Sequence, residues 1–251
     1  YVDSDRNVYV ADKNNHRIVK WPEGGTQGVL VAGGNGSGSA LNQLYNPQGV
    51  TVDSAGNIYV ADYSNNRIMK WAPGATQGVN IIQNVYPRGI HVDDSGNVYV
   101  VDHNRHRVLK YTLADGSYTQ SVVAGDVSGI SGSSLDQLSY PSGLHVDASK
   151  NVYVVDEGNH RIMKWAEGAT QGLVVAGGNG SGSALNQFNS ARDVTVDSSG
   201  NIYVVDYSGH RIMKWAPNAS EGIVIAGVEG YGTGLSQLRY PEGIELNSDG
   251  V

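Results

Sequence analysis

The sequence predicts an all-β protein made of tandem four-stranded antiparallel sheets, and three observations predict it. One phrase recurs five times, as Val8-Tyr-Val-Ala-Asp12, Ile58-Tyr-Val-Ala-Asp62, Val98-Tyr-Val-Val-Asp102, Val152-Tyr-Val-Val-Asp156 and Ile202-Tyr-Val-Val-Asp206, with starts spaced by 50, 40, 54 and 50 residues. Periods of this length mark repeat architectures. Each phrase is followed, after a short polar turn, by Arg-Ile/Val-x-Lys-Trp/Tyr, ending at Trp21, Trp71, Tyr111, Trp165 and Trp215. The phrase is also apolar on both alternating sets, Ile58/Val60 and Tyr59/Ala61. A sheet wet on one face would alternate apolar with polar, so these sheets are expected to be covered on both.

Within a unit the pattern gives four strands, A to D, at Gly49–Asp53, Asn57–Asp62, Arg67–Trp71 and Gly78–Ile82 in the second copy. Their connectors carry turn chemistry: Asp53-Ser-Ala-Gly56-Asn, Tyr63-Ser-Asn-Asn66 and Ala72-Pro-Gly-Ala-Thr-Gln. The Asp-x-x-Gly-Asn turns lack the alternating oxygen ligands of a calcium loop, so their Asp is expected to bind following backbone N–H groups. Asp62 with Arg67 reads as a structural clamp on the B–C turn, and His16, His106, His160 and His210 as residues of that turn.

Sheets that hide both faces pack around an axis as the blades of a β-propeller. Each Val or Ile buried between blades contributes about 1.5–3 kcal/mol, which an open ring would forgo. The 251 residues are expected to form one domain of five repeats, and a five-bladed ring is the preferred arrangement. Gly243-Ile-Glu-Leu-Asn247 repeats the strand-A register of Tyr1-Val-Asp3 and is expected to complete the first blade. The alternative is that it opens a further blade of a six-bladed or longer array.

The unit Pro47-x-Gly-Val-Thr-Val-Asp53-x-x-Gly-Asn-Ile-Tyr-Val-Ala-Asp62-x-x-Asn-Asn-Arg-Ile resembles the NHL repeat, whose Asn-His element appears at Asn15-His16 and Asn159-His160. The resemblance covers all five units and implies a propeller, most often six-bladed in that family. Peptide-amidating lyases and calcium-dependent lactonases resemble the same propeller. The lyases carry zinc-binding His at the channel mouth, where this chain has none. The lactonases hold calcium with a carboxylate and amide cluster, for which only Glu242 and Gln48 qualify. Some NHL propellers bind RNA through a basic face. Here Lys20, Lys70, Lys110, Lys164 and Lys214 lie on strand C toward the outside, and 24 acidic residues outnumber 17 basic ones. A net charge of −7 disfavours a phosphate backbone as partner, so no nucleic acid is expected.

Composition excludes further classes. The absence of cysteine removes disulfides and thiolate metal sites. No apolar run is long enough for a membrane-spanning helix, so no membrane insertion is expected. No Gly-x-Ser-x-Gly elbow or phosphate-binding loop appears, because Gly33-Gly-Asn-Gly-Ser-Gly follows strand D and precedes no helix. The compartment stays open, with an extracellular setting the weak preference.

Antiparallel order places the B–C and D–A connectors on one face. The D–A connector is long at Gly34–Tyr45, Asp126–Tyr140, Gly178–Asn189 and Val228–Tyr240, and short at Gln83–Tyr86. Long loops on one face suggest a binding face; the alternative is that they cap the blades, anchored by Leu41, Leu44 and their equivalents. The residue preceding each strand-A glycine position should ring the channel mouth: Gln48, Arg88, Ser142, Arg192 and Glu242. These vary on a frame that otherwise repeats, and they suit a polar, anionic or sugar-like ligand. Three positions further on, His91 and His145, with Glu245, form a lesser candidate for a metal. The expected function is therefore a non-catalytic scaffold that binds a protein, peptide or glycan without a cofactor. The alternatives are a metal-dependent propeller hydrolase or lyase with its site in the channel, and a structural bead in a tandem or filamentous assembly.

Overall fold

The structure is a computed structural model and describes residues 1–228 and 230–247. Five antiparallel meanders follow one another. Blade 1 holds β1 (Val8–Asp12), β2 (Arg17–Trp21) and β3 (Val29–Gly33). Blade 2 holds β4 (Pro47–Val52), β5 (Ile58–Asp62), β6 (Arg67–Trp71) and β7 (Val79–Gln83). Blade 3 holds β8 (Pro87–Val92), β9 (Val98–Asp102), β10 (Arg107–Ala114) and β11 (Ser117–Gly125). Blade 4 holds β12 (Leu144–Val146), β13 (Val152–Asp156), β14 (Arg161–Trp165) and β15 (Leu173–Gly177). Blade 5 holds β16 (Ala191–Val196), β17 (Ile202–Asp206), β18 (Arg211–Trp215) and β19 (Ile223–Ala226). The protein is thus an all-β five-bladed propeller, as the repeat predicts.

The local chemistry repeats with the sequence. In the A–B turn of blade 2, Asp53 Oδ1 accepts from the N–H groups of Ala55 and Asn57, Oδ2 accepts from the Tyr59 hydroxyl, and Gly56 takes a φ of +79°. In the B–C turn one 3-10 turn follows each of β1, β5, β9 and β13. It closes on a left-handed residue, His16, Asn66, His106 or His160. Asn and His tolerate that conformation better than branched residues do. The strand-C lysines each sit over a strand-B tyrosine, Lys70 at 4.9 Å from the Tyr59 ring centroid and Lys214 at 5.1 Å from that of Tyr203. They are engaged in their own blades.

Four apolar layers join consecutive blades. Between blades 1 and 2, for instance, Ile18, Ala32 and Leu44 meet Ile58, Val60, Met69 and Trp71. The long D–A loops bolt the same junctions. Arg67 of blade 2 donates to the carbonyls of Ser39, Ala40 and Gln43 in the preceding loop, and Arg161 and Arg211 do the same in theirs. Leu44, Leu138 and Phe188 anchor these loops and are fully buried. Leu41, expected as a second anchor, is exposed and contributes its carbonyl to Gly78 N instead.

Two expectations are corrected. Among the described residues the C-terminal segment does not complete blade 1. There Val2 bridges Val8, and Tyr9 N donates to Tyr1 O at 2.8 Å, so residues 1–3 already hold the inner edge of β1. Residues 241–247 form no strand, and Ile244 N donates to Asp193 Oδ2 on blade 5 at 3.0 Å. Residues 248–251, included in the same alignment, lie outside the described residues. Nor does every sheet hide both flanks. Val8, Val10 and Trp21 are 42%, 41% and 40% exposed, whereas Ile58, Val60 and Trp71 of blade 2 are 5%, 0% and 1% exposed. No apolar layer joins blades 5 and 1 among the described residues, so this flank of blade 1 faces solvent.

Candidate functional site at the channel mouth

The first strands of neighbouring blades lie side by side around the axis, because a residue without a side chain sits where they touch. Gly89 N donates to Ser142 O at 3.0 Å, and a Cβ on Gly49 would come within 2.6 Å of Arg88 O. Such close backbone approach is the ordinary use of glycine. At the fourth of these positions stands Asp193, which breaks the pattern. Its carboxylate accepts from Val194 N and Ile244 N, both at 3.0 Å. Burial pushes its pKa up to about 6.

The strands enclose a central cavity of about 740 Å³ whose lining includes Gln48, Arg88, Ser142, Arg192 and Glu242. Ser142 is buried and donates to Arg192 O at 3.0 Å, so its hydroxyl braces two blades. Deeper, His91 and His145 lie with ring centroids 6.1 Å apart, and His145 Nδ1 is 3.4 Å from Thr195 Oγ1. Burial, with the neighbouring His145 as a second cause, lowers the pKa of His91 to about 4. His145 is lowered by burial as well. Among the described residues no three His, Asp or Glu side chains come together in a group able to hold a metal ion. The set His91, His145 and Glu245 is therefore not assembled as a metal site.

The polar contacts of the mouth lie off the axis. Glu157, on the 3-10 turn after β13, receives Arg88 Nη1 at 2.9 Å and Arg192 Nη1 at 3.3 Å on the same oxygen, Oε2. Three blades thus converge on one carboxylate. The Arg192 guanidinium also lies 4.9 Å over the Tyr207 ring, and its Nε is buried without an acceptor. Beside this group opens a pocket of about 440 Å³, lined among others by Arg88, His103, Glu157, His160, Ser190 and Arg192.

His160 is distinctive there. At the equivalent turns His16, His106 and His210 each accept a backbone N–H on Nδ1, from Asn46, Tyr140 and Tyr240. Those three donors have positive φ. Ser190, in the matching place, does not, and its N–H turns to Asp206 Oδ1 at 3.0 Å. His160 Nδ1 is left buried and unpaired.

The residue after each strand-B aspartate thus forms a second varying ring: Lys13, Tyr63, His103, Glu157 and Tyr207. The signal that picks out Arg88 and Arg192, variation on a repeating frame, also picks out this ring. It is hidden because the turn reads as motif polarity.

The NHL repeat model matches residues 1–21, 44–71, 84–111, 138–165 and 188–215. No curated protein matches the chain by sequence. Among solved structures, a nidogen/laminin complex is similar with a TM-score of 0.67 at 23% identity, covering 87% of this chain and 74% of that one. A streptogramin B lyase gives 0.61 at 16% identity, over 89% of this chain and 65% of the other. An auxiliary nutrient binding protein from Bacteroides ovatus gives 0.67 at 16% identity, over 87% and 58%. The chain thus spans less than two thirds of the length of the last two. At these identities the likeness establishes the fold.

Proposed function

Since the chain belongs to the NHL repeat family, we propose that it is a non-catalytic binding propeller that takes a protein, peptide or glycan at its channel mouth. One observation carries the reading. The frame repeats almost residue for residue, while two sets of equivalent positions, Gln48–Arg88–Ser142–Arg192–Glu242 and Lys13–Tyr63–His103–Glu157–Tyr207, vary between blades, each with one residue type used twice. Folding alone asks for the same residue at each equivalent place; recognition of an asymmetric partner asks for different ones. The residues at these positions are polar and mostly partly accessible, which suits recognition of a polar ligand. The similar nidogen/laminin complex and nutrient binding protein give binding precedents on this fold.

The test is a glycan array and a tiled peptide array, each probed with the wild type and with the Arg88→Ala/Arg192→Ala double variant. The expected result is a defined ligand group bound by the wild type and lost in the double variant, with both folded at the assay temperature. Binding that survives the double substitution, or no binding on either array, overturns the reading.

A further inference from the structure

We propose that the pocket between blades 3, 4 and 5 is a site for a single carboxylate group, carried by a ligand portion the size of one sugar or one amino-acid residue. The inference rests on the binding reading above and specifies the chemistry of its ligand.

Charge is the first argument. Arg88 and Arg192 bring two positive charges and Glu157 one negative charge to the pocket. His103 donates Nδ1–H to Pro141 O at 2.8 Å when neutral, and burial lowers its pKa, so it adds no charge near pH 7. The site is left with one uncompensated positive charge in a partly buried setting. A monoanion balances it.

Donor geometry is the second. Both guanidinium groups give only Nη1 to Glu157. For Arg192 this leaves the Nε–Nη2 edge, the planar fork that matches the two oxygens of a carboxylate. Its Nε is buried without an acceptor, and buried donors are rarely left so in folded proteins; a small turn of the side chain brings that edge to the pocket. His160, which lines the same pocket, carries a second unpaired buried atom, Nδ1, freed by the diversion of Ser190 N, and in its Nδ1–H tautomer it is a further donor. Glu157 itself holds Arg88 and Arg192 through one oxygen, so the two positive charges are gathered before a ligand arrives. The Tyr207 ring under Arg192 fixes the plane of that guanidinium.

Size is the third. A pocket of about 440 Å³ accepts a hexuronate or an acidic residue and is too small for a longer polymer to enter whole. The ligand is therefore anchored here through one acidic group, while the rest of it lies on the mouth.

The experiment titrates the protein with glucuronate and with N-acetylglutamate methylamide, each against its neutral counterpart, glucose and N-acetylglutamine methylamide. Binding is read by calorimetry and by the imidazole resonances of His160 and His103. One or both acids should bind at least about tenfold more tightly than the neutral partner and shift the His160 signals. The preferred acid tells whether the source is a glycan or a peptide. Arg192→Lys keeps the charge and loses the fork, and should weaken the acid by about tenfold or more with unchanged melting. Equal affinity for acid and neutral partner, no binding of any probe, or an Arg192→Lys variant that binds like the wild type overturns the proposal. The binding reading stands apart from that failure: it survives if any array ligand still depends on Arg88 and Arg192, and it falls if none does.

Discussion

Arg67 Nε donates to Asp62 Oδ2 at 2.7 Å inside blade 2, and the same guanidinium reaches back to three carbonyls of the loop from blade 1. One buried ion pair therefore closes a turn and bolts a junction. Removing one partner of a buried pair leaves an uncompensated charge, so Arg67→Ala should cost about 3–5 kcal/mol. Arg17 makes the same bond to Asp12 at 2.7 Å, but among the described residues no preceding loop receives its other N–H groups, and the pair is far more exposed. Arg17→Ala should cost under about 1 kcal/mol. Urea denaturation of both variants checks this, and equal losses would show that the loop carbonyls contribute nothing.

The aromatic at the end of strand C gives a second contrast. Trp71 is fully buried against blade 1, so Trp71→Ala should destabilise by about 3–5 kcal/mol. Trp21 occupies the same place in the repeat but lies on the open flank of blade 1, and Trp21→Ala should cost well under half of that. Tryptophan fluorescence of the single variants provides the companion measurement. Loss of Trp21 should remove the component most accessible to iodide quenching.

Much of this was legible in the chain. The five aspartates, the five arginines and the doubly apolar phrase specify strand, turn and clamp locally, because each interaction lies within a few residues or in the adjacent repeat. Arg88 and Arg192 were legible at the mouth because they vary where the frame does not. Glu157 was missed because it stands in a polar turn, and its role arises only when β8 and β16 bring two arginines to it from other blades. The bare flank of blade 1 was also illegible. Val8 and Val10 have the same local sequence as their buried equivalents, and burial is decided by whether a neighbour is there.

The channel histidines predict a pH effect. His91 is held neutral, its pKa lowered to about 4 by burial and by His145. The unfolded chain takes up a proton near the ordinary histidine value of about 6.5. Between these two values the unfolded state binds more protons, so stability is lost as pH falls from about 6.5 toward 4. His91→Gln removes the titration, and the stability difference between variant and wild type should change by about 2 kcal/mol across that window. Thermal melts from pH 7 to pH 4 measure it, and parallel curves for the two proteins would mean that His91 is solvated.

Asp193 predicts the opposite slope from the same channel. It stands where Gly49, Gly89 and Gly143 stand in the other blades, and its Oδ2 accepts from Ile244 N at 3.0 Å. Burial raises its pKa to about 6, above the ordinary carboxylate value, so the folded state holds a proton that the unfolded chain releases. Stability contributed by the protonated form is therefore lost as pH rises from about 4 to about 6 and stays lost at neutral pH. Asp193→Asn keeps an acceptor for Ile244 N and carries no charge. The variant should match the wild type near pH 4 and exceed it by about 1–2 kcal/mol at pH 7, allowing for solvent screening of a partly accessible group. Asp193→Gly restores the repeat's own residue but abandons the bond to Ile244. If it proves as stable as Asp193→Asn at pH 7, the carboxylate's contact with the C-terminal segment carries no stability, and the raised pKa reflects burial alone.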